Sequence, residues 1–75
     1  MDISQYEIII TKHALLRAYD RGINPDRLEK IILTSQKIPF GKHYAKWVKK
    51  YKNRYIICIG HIENNVIRIL TVETK

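Results

Sequence analysis

The spacing of hydrophobic positions along the chain first predicts a short strand and then a helix. Residues 6–10 form a run rich in isoleucine that is typical of a strand. Thr11 is a residue type that caps helices, and after it alanine and leucine recur opposite a polar arc. Gly22 predicts the end of this helix. The first helix is therefore amphipathic, and its outer face carries His13 and Arg17.

A second helix and three further strands are predicted from residue 24 onwards. Asn24 and Pro25 combine a cap residue with a proline at the first helical position, and this helix is predicted to run to about Ser35. Strands are predicted at residues 44–51, 54–62 and 66–73, with a break at residues 52–53 and a hairpin turn at residues 63–65.

These elements predict an α+β fold in the order β-α-α-β-β-β, with two helices packed on one face of an antiparallel sheet. A chain of 75 residues makes one small domain, residues 1–75. No signal peptide is visible, and no run approaches the roughly 20 apolar residues that a membrane helix needs. A single cysteine, Cys58, excludes an internal disulfide. We therefore expect a cytoplasmic protein that does not enter a membrane.

Positive charge is concentrated in residues 37–54. The protein carries 14 Lys and Arg against 7 Asp and Glu, and this segment accounts for the whole net charge of +7. Its basic residues are Lys37, Lys42, Lys46, Lys49, Lys50, Lys52 and Arg54. The same segment, extended by one residue, contains most of the aromatic residues: Phe40, Tyr44, Trp47, Tyr51 and Tyr55. Cations interleaved with aromatic rings suit nucleic acid, and single strands in particular.

Plainer explanations of this segment remain open. Lysines are common on edge strands, where they discourage pairing with other chains. Residues 31–62 contain no acid, however, and a field of one sign favours a polyanion over mere solubility. Strand alternation places Lys46 and Lys50 on one face and Trp47 and Lys49 on the other. We expect Trp47 in the core rather than on a stacking platform.

His13 and Arg17 lie one helical turn apart and form the candidate catalytic pair. RNA cleavage without a metal needs a base for the 2′-hydroxyl proton, an acid for the 5′-oxygen and cations for the phosphate charge. Histidine serves either proton role near neutral pH, and arginine binds phosphate oxygens with paired hydrogen bonds. A solvated helix face explains the same spacing. His43 lies in the basic segment and is assigned to phosphate contact, whereas His61 is expected to be packed.

Other chemistries find no support in the sequence. The histidines lack the spacing of metal ligands and the acids are scattered, so neither a metal nor another cofactor is expected. Cys58 lies among isoleucines, no motif surrounds a nucleophilic serine, and the glycines form no phosphate-binding loop.

One set of residues carries a family resemblance: Thr11-Lys12-His13-Ala14, Arg17 and Arg21-Gly22-Ile23, followed by a Pro-Asp-Arg-Leu helix start. The pattern T-x-H-A-x-x-R-x-x-x-R-G-I resembles a family of small bacterial and archaeal domains. Their last strand closes with an I-x-T-V-like segment, here residues 69–72. That family looks related to the RelE-like toxins and to the barnase–EndoU–colicin–RelE group of metal-independent ribonucleases.

The resemblance implies a RelE-like fold and RNA cleavage by 2′-hydroxyl attack that leaves a cyclic phosphate. It also implies roles for three residues. His13 would be the acid or base, Arg17 the cation that contacts the phosphate, and Thr71 the hydroxyl on the last strand. Such toxins commonly have an antitoxin protein, and an acidic antitoxin would suit a basic chain.

We therefore expect a metal-independent endoribonuclease, the toxin of a toxin–antitoxin system, with His13, Arg17 and Thr71 at the catalytic site. RNA, which can be ribosome-bound, is expected to contact Arg21, Lys42, His43, Lys46, Lys49, Lys50, Lys52 and Arg54. Two alternatives remain. One is a non-catalytic nucleic-acid-binding module that uses the basic 37–54 surface, and the other is a protein-interaction domain for an acidic partner.

Overall fold

Five strands and two helices make up the structure, a computed structural model that describes residues 6–75 and, for Tyr51, the backbone alone. The elements are β1 (Glu7–Ile10), α1 (Lys12–Asp20), α2 (Pro25–Thr34), β2 (Gln36–Phe40), β3 (Tyr44–Tyr51), β4 (Arg54–Glu63) and β5 (Val66–Thr74). The α+β class and the three C-terminal strands are confirmed.

The strands form one mixed sheet in the order β1-β5-β4-β3-β2. The expectation of an antiparallel sheet is wrong at one edge, because β1 pairs with β5 in parallel. The helical crossover between β1 and the rest of the sheet allows this, since parallel strands need a long connection. The predicted order also lacked β2. Proline is unusual in strands, so Pro39 argues against a strand at this point of the sequence. However, β2 is an edge strand, where proline costs no ladder hydrogen bond.

Both predicted helix starts are confirmed by their caps. The Thr11 hydroxyl accepts a hydrogen bond from the Ala14 N–H at 3.2 Å, and the Asn24 side chain accepts one from the Arg27 N–H at 2.8 Å. The predicted end of α1 is confirmed as well. Gly22 has φ +72°, a left-handed conformation that glycine adopts without steric cost.

The core lies between the two helices and one face of the sheet. Ala14 and Ala18 of α1 and Leu28 and Ile32 of α2 are fully buried, and so is Trp47, as predicted. The sheet side of the core consists of Ala45, Trp47, Ile56, Cys58, Ile67, Ile69 and Val72. Because strand residues alternate between faces, the residues between these point away from the helices. We call that uncovered side the open face.

A β-bulge interrupts the alternation in β5. Ile59 of β4 is paired with Thr71 and Gly60 with Ile69, so Leu70 has no partner on β4. After Leu70, odd-numbered and even-numbered positions exchange the faces to which their side chains point, because one extra residue shifts the two-residue period by half. Gly60 allows the backbones to approach here: a Cβ on it would lie 2.8 Å from the Arg68 carbonyl oxygen.

Helix α1 continues the edge of the sheet where β1 stops. Ile10 is paired with Ile69, and the Thr11 N–H donates to the Ile69 carbonyl oxygen at 3.1 Å. The Thr11 hydroxyl donates to the same oxygen at 2.7 Å. The chain then turns into α1, which packs against β5. Within residues 6–75, no helix is long and apolar enough to cross a membrane.

Thr11 therefore has two structural functions, and its replacement tests them. We expect Thr11→Ala to lower the free energy of unfolding by about 1–2 kcal/mol, because it removes both the helix cap and the hydroxyl bond to β5. Thr11→Ser is the matched control, since serine keeps both bonds, and it should stay within about 0.5 kcal/mol of wild type. Urea unfolding measures both values. Equal stability of the two variants would contradict the assignment.

Candidate functional site

The bulge directs two polar side chains of β5 onto the open face. Thr71 and Glu73 lie two residues apart, so they project from the same side of the strand. Val72 between them is fully buried on the helix side. Without the extra residue at Leu70, the alternation that buries Ile69 would also turn Thr71 and Glu73 towards the core.

Two arginines of α1 meet these side chains at the edge of the sheet. The Arg17 Nη2 lies 3.2 Å from one carboxylate oxygen of Glu73, and the Arg21 Nη2 lies 3.5 Å from the other. The Thr71 hydroxyl is 3.5 Å from the oxygen that Arg17 contacts. We call these four residues, Arg17, Arg21, Thr71 and Glu73, the Glu73 cluster. Arg17 and Glu73 are 39% and 40% exposed, so the cluster is open to a ligand.

The cluster keeps Glu73 ionised. The hydrogen bond from Arg17 is the main reason why the pKa of Glu73 is lowered from its ordinary 4.5. Partial desolvation has the next largest effect and raises the pKa, while the positive charges of Arg17 and Arg21 and the hydroxyl of Thr71 lower it further. At neutral pH the site therefore holds one carboxylate and two guanidinium groups. The carboxylate can accept a proton, and the guanidinium groups can bind phosphate oxygens.

His13 lies on the exposed side of α1, one turn before Arg17. At 100° per residue, His13, Arg17 and Arg21 follow one another along one side of the helix. The structure thus brings Arg17 and Thr71 to a shared carboxylate, and it places His13 one turn before Arg17 on the helix.

The basic segment is divided between the two faces of the sheet. Lys46 and Lys50 belong to the open face, because their cross-strand partners Ile59 and Tyr55 lie there. Lys49 points to the helix side, where its Nζ is 2.6 Å from the hydroxyl of Thr34 in α2. The alternation predicted for this strand is thereby confirmed. Residues grouped as one binding surface in the sequence therefore belong to different surfaces.

An aromatic group occupies one end of the open face. The rings of Phe40 and Tyr44 stack with centroids 5.7 Å apart, and both residues are 43% exposed. His61 meets Tyr44 edge to face at 5.1 Å, and His43 lies 5.7 Å from His61. His61 is packed, as predicted, although against other rings rather than in the core. Lys42 and His43 belong to the turn that joins β2 to β3.

Lys52 and Arg54 lie elsewhere, at the far end of the sheet. They line a cavity of about 240 Å³, together with Arg21, Gly22, Ile23, Arg27, Ile56 and Thr74. We call it the basic cavity. Arg21 belongs to both the Glu73 cluster and the basic cavity, so the two sites are neighbours.

Sequence reasoning missed Glu73, although the chain contained a signal for it. Glu73 is the only acid in residues 66–75, and it lies two residues from Thr71. The hydrophobic pattern also changes phase between Ile69 and Val72, which indicates a bulge.

Cys58 is buried, and burial raises its pKa to about 12, so it is a poor nucleophile. Within residues 6–75, no three His, Cys, Asp or Glu side chains gather as a metal site would require.

The lowered pKa of Glu73 predicts a pH-dependent contribution to stability. The unfolded chain binds a proton on this group at a higher pH than the folded chain does, so the ionised carboxylate favours folding above about pH 4.5. That contribution is lost as the pH falls through the lowered value. We expect Glu73→Gln to be less stable than wild type at pH 6, and the difference to shrink below pH 4.5. Urea midpoints from pH 2.5 to 6 measure it. A difference that is constant over this range would contradict the assignment.

Comparison with known proteins adds no relative to this description. No protein-family model matches the chain, and neither a curated protein nor a solved structure matches it.

Proposed function

We propose that the protein is a metal-independent endoribonuclease with its catalytic site at the Glu73 cluster and His13. The observation that carries the proposal is the meeting of Arg17 and Thr71 at one ionised carboxylate. These residues are separated by 54 positions in the chain, and Arg17 reaches across the edge of the sheet to make the contact. Partly exposed ion pairs contribute little to stability, so stability alone is a weak reason for this arrangement.

The proposed reaction is a transfer of the phosphate from the 5′-oxygen to the 2′-oxygen of the RNA. The ionised Glu73 takes the proton of the 2′-hydroxyl, and the 2′-oxygen then attacks phosphorus. The bond from phosphorus to the 5′-oxygen breaks, and the leaving oxygen takes a proton from His13. Arg17 and Arg21 offset the negative charge that grows on the phosphate oxygens, and Thr71 donates a hydrogen bond. The products are a 2′,3′-cyclic phosphate and a 5′-hydroxyl end.

The open face offers the RNA a path to this site. Lys46, Ile59 and Thr71 are successive partners across β3, β4 and β5, so they form one row on the sheet. Strands are spaced by about 4.8 Å, and Lys46 therefore stands roughly 10 Å from Thr71. A strand of RNA bound to Lys46 and Lys50 can reach the cluster. The stacked rings of Phe40 and Tyr44 lie at one end of the same face.

A toxin role in a toxin–antitoxin pair belongs to the same proposal. The net charge of +7 suits an acidic antitoxin, and the open face has half-buried apolar residues that neither α1 nor α2 covers: Ile38, Val48, Ile57 and Ile59. An antitoxin on that face would block both the RNA path and the cluster. Copurification of an acidic protein that suppresses RNA cleavage is the observation that would support this role.

The cleavage proposal predicts activity in the presence of EDTA. Wild type should cut RNA, free or ribosome-bound, and leave cyclic phosphate ends. His13→Ala should lower the rate by about 10²–10⁴, the usual contribution of one positioned acid or base. Glu73→Gln should also slow cleavage, although glutamine can still accept hydrogen bonds from the arginines. Gel analysis with the product ends identified by mass spectrometry measures these effects.

Leu16→Ala is the control for these variants, because Leu16 is an exposed residue of α1 outside the cluster. Leu16→Ala should cut RNA at the wild-type rate. Equal rates in wild type and His13→Ala would indicate that a contaminating nuclease cuts the RNA. A folded wild type that leaves both free and ribosome-bound RNA intact would overturn the ribonuclease proposal.

A second candidate function is RNA binding without cleavage. The exposed, stacked Phe40 and Tyr44 favour it, since exposed aromatic rings are the usual platform for unpaired bases. The arginines of the cluster are already paired with Glu73, which is compatible with a purely structural role for that carboxylate. In this case the open face alone would carry the function.

Neighbouring lysines on opposite faces test whether RNA uses the open face. Log K for a single strand should fall with log salt concentration, with a slope of about 0.7 for each phosphate contact. Lys50→Gln should reduce that slope by about 0.7, because Lys50 lies on the open face. Lys49→Gln removes the same charge from the helix side and should leave the slope unchanged. Equal slopes in the two variants would remove the open face as the binding surface. Fluorescence anisotropy at several salt concentrations measures this.

A further inference from the structure

The basic cavity gathers positive charge from three separate parts of the chain. Arg21 comes from the end of α1, Arg27 from the first turn of α2, and Lys52 and Arg54 from the β3–β4 turn and the start of β4. The described residues that line the cavity include no acid. Arg21 is paired with one acid outside the lining, Glu73, at 3.5 Å.

The other residues that line the basic cavity are mainly apolar, which favours the binding of a ligand there. Ile23 and Ile56 are nearly fully buried and form apolar walls, and Thr74 adds a hydroxyl group. Apolar walls strengthen the field inside a cleft that is lined by charges of one sign. Four cations placed together repel one another, and an anion between them would offset that repulsion.

Arg21 has hydrogen-bonding capacity left for such a ligand. Its Nη1 donates to the Arg17 carbonyl oxygen at 3.3 Å, and its Nη2 makes a long contact of 3.5 Å with Glu73. Each Nη group carries a second N–H, and a planar guanidinium can bind an oxyanion through two parallel bonds.

We propose that the basic cavity is a phosphate-binding site, separate from the open face. A phosphate group has up to two negative charges and several acceptor oxygens, so it can bind arginines from different elements at once, whereas a carboxylate has a single charge and two oxygens. This proposal does not rest on the ribonuclease function. The phosphate can belong to an RNA end or to a free phosphate or small phosphate ester, because the same groups would bind either.

The test is the effect of inorganic phosphate on the melting temperature, measured against chloride at equal ionic strength. A ligand that binds only the folded chain raises the Tm with its concentration. We expect phosphate to stabilise wild type more than chloride does. The double variant Arg27→Gln/Arg54→Gln should need at least tenfold more phosphate for the same shift. Both residues are exposed, so the variant should fold, and its urea midpoint in chloride checks this.

The matched control is Lys46→Gln/Lys50→Gln, which also removes two positive charges, but from the open face. It should respond to phosphate as wild type does. The absence of any phosphate effect beyond that of chloride would overturn the proposal. An equal loss of the effect in both double variants would also overturn it, because that result would indicate general charge screening.

Short RNA strands then identify the source of the phosphate. Strands that end in a phosphate or in a hydroxyl are compared for their ability to displace inorganic phosphate from wild type. A preference of at least tenfold for the phosphate-ended strand assigns the cavity to an RNA end. Equal displacement assigns it to free phosphate or a small ester. Phosphate binding without RNA cleavage would support the cavity and leave the ribonuclease unsupported, and cleavage without phosphate binding would do the reverse.

Discussion

The β-bulge at Leu70 is the constraint on which the candidate site depends. Ile69 and Val72 both face the core although they are three residues apart, and only an extra residue between them makes this compatible with a strand. The same residue turns Thr71 and Glu73 to the open face. In a regular strand the Glu73 carboxylate would face the buried layer around Trp47, where an ionised group is strongly disfavoured. The packing of the core and the exposure of the site are therefore set by one backbone irregularity.

The candidate site also depends on the short length of β1. Because β1 ends at Ile10, half of the β5 edge is left for α1, and Thr11 ties the two together through the Ile69 carbonyl oxygen. Arg17 and Arg21 can then reach around the edge to Glu73. The helix supplies cations, the strand supplies the carboxylate and hydroxyl, and neither element alone contains the site.

Much of the fold followed from local signals. Caps such as Thr11 and Asn24 and turns such as residues 63–65 are recognisable because a few neighbouring residues determine them. Strand β2 was missed because Pro39 is a breaker everywhere except at a sheet edge, and the sequence does not show which strand is an edge. The parallel pairing of β1 was missed because it joins residues almost sixty positions apart, and local signals do not show which distant strands pair.

The sequence by itself determined the charge of the protein, the residue types available for chemistry, and the alternation that separates Lys49 from Lys50. It pointed to His13 and Arg17 through their helical spacing, and to Thr71 only through a resemblance. Tertiary structure decided that Arg17 and Thr71 share Glu73, and that the basic segment is split among the open face, the helix side and the basic cavity. The physical reason is that charge and periodicity are local properties of a chain. Which side chains meet depends on strand order, register and a single unpaired residue, and these are set by the packing of the whole core.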